Sequence, residues 1–526
     1  MTTLKKERIE AIKFDRKKYY ITTAIDYVNA PPHLGHLYEK LLADALARFH
    51  RLKGDDVFFL TGTDENAQKN EKAAKEAGEE IKEFVDSNAQ KFIKLCRVFN
   101  ISNDDFIRTT EKRHIEVVRL VFKKMFENGD IYKGYYEGYY CYGCEEFKTE
   151  KDLVDGKCPE HEKVPELLKE ESYFFRLSKY KNRILNLVSS NSFILPEKRR
   201  NEIVSRIKGE GLKDLSVTRP NIQWGIDAPI DGKHKIYVWV DALINYISAL
   251  DYDKGDRFKK YWPADVHLIG KGINWFHSVI WPAILLSAKI PLPKLILVHG
   301  YLTIGGEKLS KSRGIVVDPF VLVKKYPVDT IRYSLLREVS LDEDGDFSEK
   351  TLIEKNNNEL VATVGNFIHR TISFINSTFD GKVPKPKKYD YLDEEFVKKI
   401  EDVGKEVGDK IEKNEIQRGL KKILEFGTFC NQYFQKKEPW KTKNPTSLYL
   451  SINAVRALAI LLYPYVPFAS EKLWKQIKLE GEVSQQKWDS ISEIEIKPKH
   501  KIQKAEILFR KVEDEEIKIQ KDKLPK

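Results

Sequence analysis

Short apolar runs alternate with amphipathic stretches in two separate blocks of the chain, and helical periodicity dominates its second half. Tyr19 to Ile25 reads as a strand, Asn29-Ala30-Pro31-Pro32 as a turn, and His33-Leu34-Gly35-His36 as the opening of a helix running to about Arg51. Val57 to Thr61 is the next strand, and a helical pattern from about Ile81 to Phe99 completes the unit. The alternation resumes at Lys235-Ile236-Tyr237-Val238-Trp239-Val240, read as a strand, followed by a helix over 241–250. Val266-His267-Leu268-Ile269 is a further strand ending in Gly270-Lys271-Gly272; a helix from about Asn274 to Ala288 leads to a last strand over 295–299. Apolar strands alternating with amphipathic helices predict an α/β fold with a doubly wound parallel sheet, ligands binding at the carboxyl ends of its strands. Asp26, Tyr27, His33 and Asp64 fall at those ends.

Between the two blocks the pattern breaks, so the sheet is expected to be interrupted by an insert and completed after it. From residue 353 to about 480, apolar residues recur at helical spacing in Leu360–Phe379, Phe396–Ile411, Ile416–Phe434 and Leu448–Leu462, which predicts a helix bundle. The expected division is 1–115 and 223–304 for the two halves of the α/β unit and 116–222 for the insert. A lysine-loop region follows over 305–352, the bundle over 353–490 and a tail over 491–526. Asp342-Glu343-Asp344-Gly345-Asp346 reads as a solvated turn. The tail is rich in Lys and Glu around a short apolar patch, Ile507-Leu508-Phe509.

Composition narrows the classes. With 526 residues, 41% hydrophobic and 11% aromatic, the chain is globular and long enough for several domains. A net charge of +11 permits an anionic partner such as RNA. Met1 to Lys18 is charged and holds no apolar segment, so a cytoplasmic protein is expected. The most apolar window, Ala454 to Ala469, contains Arg456, Pro464 and Pro467 and reads as a buried helix, not a membrane span. Of five cysteines, three form with one histidine the series Cys141-x2-Cys144-x13-Cys158-x2-His161. That is close to the spacing of a structural zinc knuckle, and four protein ligands leave no open position on the metal.

Two motifs point to phosphate chemistry. His33-Leu34-Gly35-His36 sets two histidines at a helix N-terminus, where phosphate is favoured, and Gly35 lets a flat ring approach the backbone. Lys308-Leu309-Ser310-Lys311-Ser312-Arg313-Gly314 sets two lysines in a flexible loop beyond a strand end. Either alone could be ordinary solvated surface. Each following a strand, they form a pair.

In order and context these motifs resemble the two signatures of class I aminoacyl-tRNA synthetases, and the surrounding residues resemble the methionyl-tRNA synthetases over nearly the whole chain. The resemblance implies a Rossmann-like catalytic domain with a zinc-binding insert and an α-helical anticodon-binding domain. It implies activation of L-methionine with ATP and Mg2+, then transfer to tRNA(Met). His33, His36, Lys308 and Lys311 would be catalytic, with Gly35, Gly270 and Lys271 also on ATP. Ala24, Ile25, Tyr27, Trp239, Ala242, Tyr246, Ile273 and His277 would form the methionine pocket, suited to a thioether by its aromatic edges. Asp64 would pair with the substrate ammonium, and Arg219 would orient that carboxylate. Alone, Trp239 and Tyr246 would read as core. Cys141, Cys144, Cys158 and His161 would hold one structural zinc. Asn366, Arg370, Pro439 and Trp440 would read the anticodon, although Trp440 alone could equally be a packing residue. One residue departs from the family pattern: an acidic residue usually follows Gly-Lys, and here it is Gly272. The resemblance also implies a monomer, since members that dimerise often carry an extra C-terminal domain.

Other readings fit less well. Leucine, isoleucine and valine enzymes carry an editing domain larger than this insert, and a cysteine enzyme would use zinc at its amino-acid site. A nucleotidyltransferase sharing only His-x-Gly-His would not need the helical domain, and a non-catalytic tRNA-binding relative would not need both signatures.

Overall fold

The structure, a computed structural model, describes residues 17–148, 152–220, 222–304, 307–308, 317–338 and 341–512. Its centre is a seven-stranded sheet in which every pairing is parallel. Lys18–Thr23 lies between Asp56–Asp64 and Val266–Gly270, and the latter leads on to Ile296–His299. Asp105–Arg108 also pairs with Asp56–Asp64, and Asp26–Tyr27 pairs with Thr63 and Asp64. Apolar residues alternate between the two faces, as the pleat requires. Ile21, Phe59, Leu268 and Leu297 pack on the face that receives the helix Leu34–Leu52, while Tyr20, Phe58, Ile269 and Val298 pack on the other.

The sheet differs from the sequence-based expectation in two places. The expected strand at 235–240 is not part of it. Asp231–Ile236 instead runs antiparallel between Thr218–Pro220 and Asp227–Ala228 in a separate three-stranded sheet, and a helix begins at Val238. The run from Tyr237 to Val240 is buried on all sides, and an apolar run of that length carries no period by which strand and helix can be told apart. Second, the insert hands a strand back: Ile194–Leu195 pairs in parallel with Ile296 and Leu297 and forms the far edge of the central sheet. The insert's own sheet is antiparallel, with Ile131–Cys141 between Glu146–Lys148 and Glu166–Phe175, and Leu215–Ser216 beyond.

The acidic stretch is not a free turn. Gly345–Asp346 is a short strand parallel to Leu302–Ile304, whose other neighbour is Glu307–Lys308, antiparallel. Gly300 makes room for this loop: a Cβ there would lie 2.1 Å from the Glu343 carbonyl oxygen.

The helical part comprises Asn366–Phe379, Tyr391–Glu412, Ile416–Lys437, Pro445–Leu462 and Pro467–Gln476, preceded by a π-helical turn, Asn356–Gly365. Pro445–Leu462 is the one helix among the described residues long and apolar enough to cross a membrane, and 94% of it is buried inside the protein. Its apolar character on every side is that of a central bundle helix. The bundle core is continuous with the core on one face of the central sheet. From 493 to 512 the tail lies along the bundle without helix or long strand: the Val383 carbonyl accepts from Lys499 N while Val383 N donates to the His500 carbonyl, and Asn357 bonds both backbone groups of Val512.

Candidate active site

The helix Leu34–Leu52 is capped by its own histidines. His33 is the N-cap; its Nδ1 accepts from Gly35 N at 3.1 Å, and His36 Nδ1 accepts from His33 N at 3.1 Å. The two rings stack with centroids 3.7 Å apart. Because both Nδ1 atoms accept, each neutral ring carries its proton on Nε2. The motif therefore places two ring N–H donors at the positive end of a helix with no acidic residue in its first turn. Asp26 lies behind it, 3.9 Å from His36 Nε2 and paired with the buried Lys40.

Beside this cap a small cavity is lined by Ala24, Ile25, Tyr27, Asp64, Trp239, Ala242, Leu243, Asn245, Tyr246, Ile273 and His277. Every pocket residue expected from the sequence is there except Arg219. Trp239 stacks on Phe276 at 3.8 Å and meets Tyr27 and His277 edge-on, both at 6.4 Å. The Tyr246 hydroxyl donates to His277 Nε2 at 2.7 Å, and His277 Nδ1 donates to the Ile273 carbonyl at 3.0 Å. These two bonds specify the neutral Nδ1–H tautomer, and burial holds the ring's pKa down at about 4.

Polar atoms in this wall lack hydrogen-bond partners among the described residues. The Tyr27 hydroxyl, Asp64 Oδ1, Trp239 Nε1 and Asn245 Oδ1 are all buried and unbonded. Buried polar atoms without partners are costly, so the cavity is built for a ligand bearing both donors and acceptors. Burial, then the neighbouring Asp241, push the Asp64 carboxyl well above the ordinary carboxylate range. A cationic ligand would restore its charge. Asp241 itself is held by His114 Nε2 at 2.6 Å and Asn66 Nδ2 at 2.8 Å.

Arg219 takes another place. It donates to Ser216 Oγ at 2.9 Å and the Thr218 carbonyl at 2.8 Å, and its guanidinium lies 4.3 Å from the Tyr237 ring centroid. The cation beside Asp64 is Lys69, whose ammonium sits 2.9 Å over the Tyr27 ring and whose pKa burial lowers to about 8. Lys69, Asn66, His114, Asp241 and Asn245 were not anticipated as site residues. Asp241 and Asn245 lie within the Trp239–Tyr246 segment and could have been found by projecting it as a helix; His114 carries no local signal.

Gly270 ends its strand, and Lys271 bonds both carboxylate oxygens of Asp344, at 2.8 and 2.6 Å. The backbone of Lys308 pairs with Thr303 in the small sheet, and Lys311 lies outside the described residues.

Cys141, Cys144, Cys158 and His161 converge, with one ligand atom from each lying within 4.8 Å of the others. Gly143 is required by this packing, because a Cβ there would stand 2.4 Å from the His161 ring. Three thiols and an imidazole at this separation fit a tetrahedral metal site. Glu145 joins the cluster to the cavity wall: it accepts from Lys69 N and from the Tyr140 hydroxyl, both at 2.8 Å, and the Tyr237 hydroxyl donates to its carbonyl at 2.5 Å.

On the bundle, Arg370 stacks its guanidinium 5.0 Å from the Trp440 ring centroid and 4.8 Å from that of Phe434, with Trp440 6.1 Å from Phe434. Trp440 is half-buried, Asn366 is exposed and Pro439 is buried.

Comparison with known proteins agrees with this architecture. The family model of class I tRNA synthetases (M) matches residues 19–165 and 151–372, and that of the anticodon-binding domain of tRNA ligases matches 393–524. Methionine–tRNA ligase of Caldanaerobacter subterraneus is 43% identical over 95% of this chain and 80% of its own length. That of Rickettsia felis is 44% identical over 89% and 93%. The crystal structure of Mycobacterium tuberculosis methionyl-tRNA synthetase bound by methionyl-adenylate superposes with a TM-score of 0.90 at 36% identity, covering 94% of this chain and all of that one. The chain belongs to the class I aminoacyl-tRNA synthetases, in the family of methionine–tRNA ligases.

Proposed function

We propose that this ligase condenses L-methionine with ATP to methionyl-adenylate and pyrophosphate, then transfers the methionyl group to the 3′ end of tRNA(Met). The observation that carries the reading is the cavity between Tyr27, Asp64, Trp239, Tyr246 and His277, set beside the His33–His36 helix start.

Methionine enters with its thioether among Trp239, Tyr246, His277 and the small side chains of Ala24, Ile25, Ala242 and Ile273. Sulfur packs well against aromatic edges, and the neutral His277 adds no charge. The ammonium pairs with Asp64 Oδ1, whose lack of a hydrogen-bond partner among the described residues supports the role. Arg219, bonded to Ser216 and Thr218, serves through the scaffold around Tyr237 instead of touching Asp64.

In the activation step a methionine carboxylate oxygen attacks the α-phosphorus and the bond to pyrophosphate breaks. Negative charge grows on phosphate oxygens, so positioned donors and cations do most of the work. His33 and His36 offer Nε2–H donors from the helix end, Gly35 admits the adenine, and Gly270, Lys271, Lys308 and Lys311 close from the other side. Magnesium arrives with ATP.

Zinc held by Cys141, Cys144, Cys158 and His161 would be structural, tying together a hairpin too small to have its own core. Asn366, Arg370, Pro439 and Trp440 read the anticodon on the bundle. The enzyme works as a monomer in the cytoplasm, without a membrane.

ATP–pyrophosphate exchange measured with each amino acid in turn tests the assignment. Exchange with methionine alone is expected; exchange with another amino acid, or none with methionine, overturns it.

A further inference from the structure

The position after Gly270-Lys271 is glycine, and the space beside it is taken. A Cβ on Gly272 would lie 2.0 Å from the Tyr301 hydroxyl. Tyr301 therefore fills the volume that a carboxylate on residue 272 would need. Its backbone N–H donates to Asp344 Oδ1 at 2.8 Å, and Asp344 takes Lys271 Nζ on both oxygens. The Lys271 ammonium also stands 4.6 Å from the Tyr301 ring centroid. Three segments distant in sequence thus close one cluster: the end of strand Val266–Gly270, the residue following Gly300, and the acidic loop.

We propose that Asp344 is a positioning residue for the activation step, supplying from the acidic loop the carboxylate that residue 272 lacks. This rests on the reading of Lys271 as a contact to ATP. Lys271 sits on a flexible four-carbon stem, and a bidentate carboxylate fixes its direction. Asp344 directly precedes the strand Gly345–Asp346, which pairs with Leu302–Ile304, which in turn pairs with Glu307–Lys308. Through Asp344, the cation on the central sheet and the strand that carries Lys308 are held in one frame. The pair is partly exposed, 24% for the lysine side chain and 37% for the aspartate. Surface pairs of this kind add little stability, so its value lies in orientation.

The test uses the full chain in methionine-dependent exchange, after the unaltered enzyme has been shown to exchange with methionine, which separates failure of this idea from failure of the functional reading. Asp344→Asn should raise the KM for ATP about tenfold, as expected for loss of a hydrogen bond to a charged group, with the KM for methionine unchanged. If Asp344 acts through Lys271, adding Asp344→Asn to Lys271→Met should cost nothing further. Placing a carboxylate at residue 272 by Gly272→Asp, with Tyr301→Phe to clear the hydroxyl, should restore most of the ATP affinity of Asp344→Asn. The proposal fails if Asp344→Asn leaves the KM for ATP unchanged. It also fails if the effects of Asp344→Asn and Lys271→Met simply multiply, or if KM for both substrates rises together. Should Asp344→Asn melt early, Lys271→Met with and without Asp344→Glu gives the same cycle, and multiplying effects there are equally fatal.

Discussion

Arg332 donates to Asp44 at 2.6 Å with neither side chain exposed to solvent. Asp44 lies on the helix that begins at His33, and also accepts from Arg48 and Ser102. The same guanidinium donates to the carbonyls of Phe99 and Tyr465, so one residue ties the signature helix, the central α/β unit and the bundle together.

Arg332→Ala is expected to destabilise the protein by about 3–5 kcal/mol, because it strips a buried carboxylate of one of its cations and orphans two carbonyls. Urea unfolding measures this; a loss below about 1 kcal/mol would show the pair to be dispensable. Acid behaviour follows the same pair. Burial alone would raise the Asp44 pKa, but Arg48 and Arg332 overcome it and hold the group at about 2. Its stabilisation is therefore present above pH 4 and is lost as pH falls through 4 toward 2.

His277 should stay neutral across the working range. Its folded pKa of about 4 lies below the ordinary 6.5, so the unfolded chain takes up a proton between those values that the folded chain refuses. The contribution to stability is complete above pH 6.5 and declines as pH falls toward 4, by about 3 kcal/mol in all. NMR titration of the imidazole should give a midpoint near 4; a midpoint near 6.5 would mean that the ring is open to water in solution and not buried as it is here.

Cys144→Ser should lower bound metal and loosen the insert. Since Glu145 clamps this cluster to Lys69 and Tyr237, metal removal should also raise the KM for methionine. Elemental analysis finding no metal in the unaltered protein would remove the premise, and an unchanged KM on chelation would sever the link through Glu145.

Trp440→Ala should leave methionine-dependent exchange intact while charging of tRNA falls by about 5- to 150-fold, the worth of one base stack. Trp440 is half-buried against Phe434 and Arg370, so some stability will be lost as well. Normal charging by the folded variant would rule out a recognition role, and loss of exchange together with charging would mark it as core.

Much of the site was legible because its parts carry local signatures. The histidine pair follows a strand and opens a helix, the cysteines keep a metal spacing, and the pocket comes from three short segments together with Asp64. What could not be read depends on contacts that leave no local trace. Tyr237 to Val240 is apolar throughout, so period could not tell its helix from a strand. Ile194–Leu195 is two residues long and becomes a strand only because Ile296 and Leu297 lie beside it. His114 reaches Asp241 across 127 residues of chain. Asp344 looked like one more solvated acid until its lysine was brought to it. Arg219, expected at Asp64, is drawn instead to Ser216 and Thr218.

The strand Ile194–Leu195 also bears on how the hairpin that carries Cys141 and Cys144 can move. That hairpin leaves the central sheet after Asp105–Arg108 and comes back to it at the opposite edge. It is rooted twice, so it has no single hinge about which to swing. Tilting it as a body means either bending both roots in concert or peeling a strand from the sheet. Glu145 adds a third restraint, since its carboxylate takes Lys69 N and its carbonyl takes the Tyr237 hydroxyl, so the hairpin can leave the cavity wall only by breaking those bonds as well.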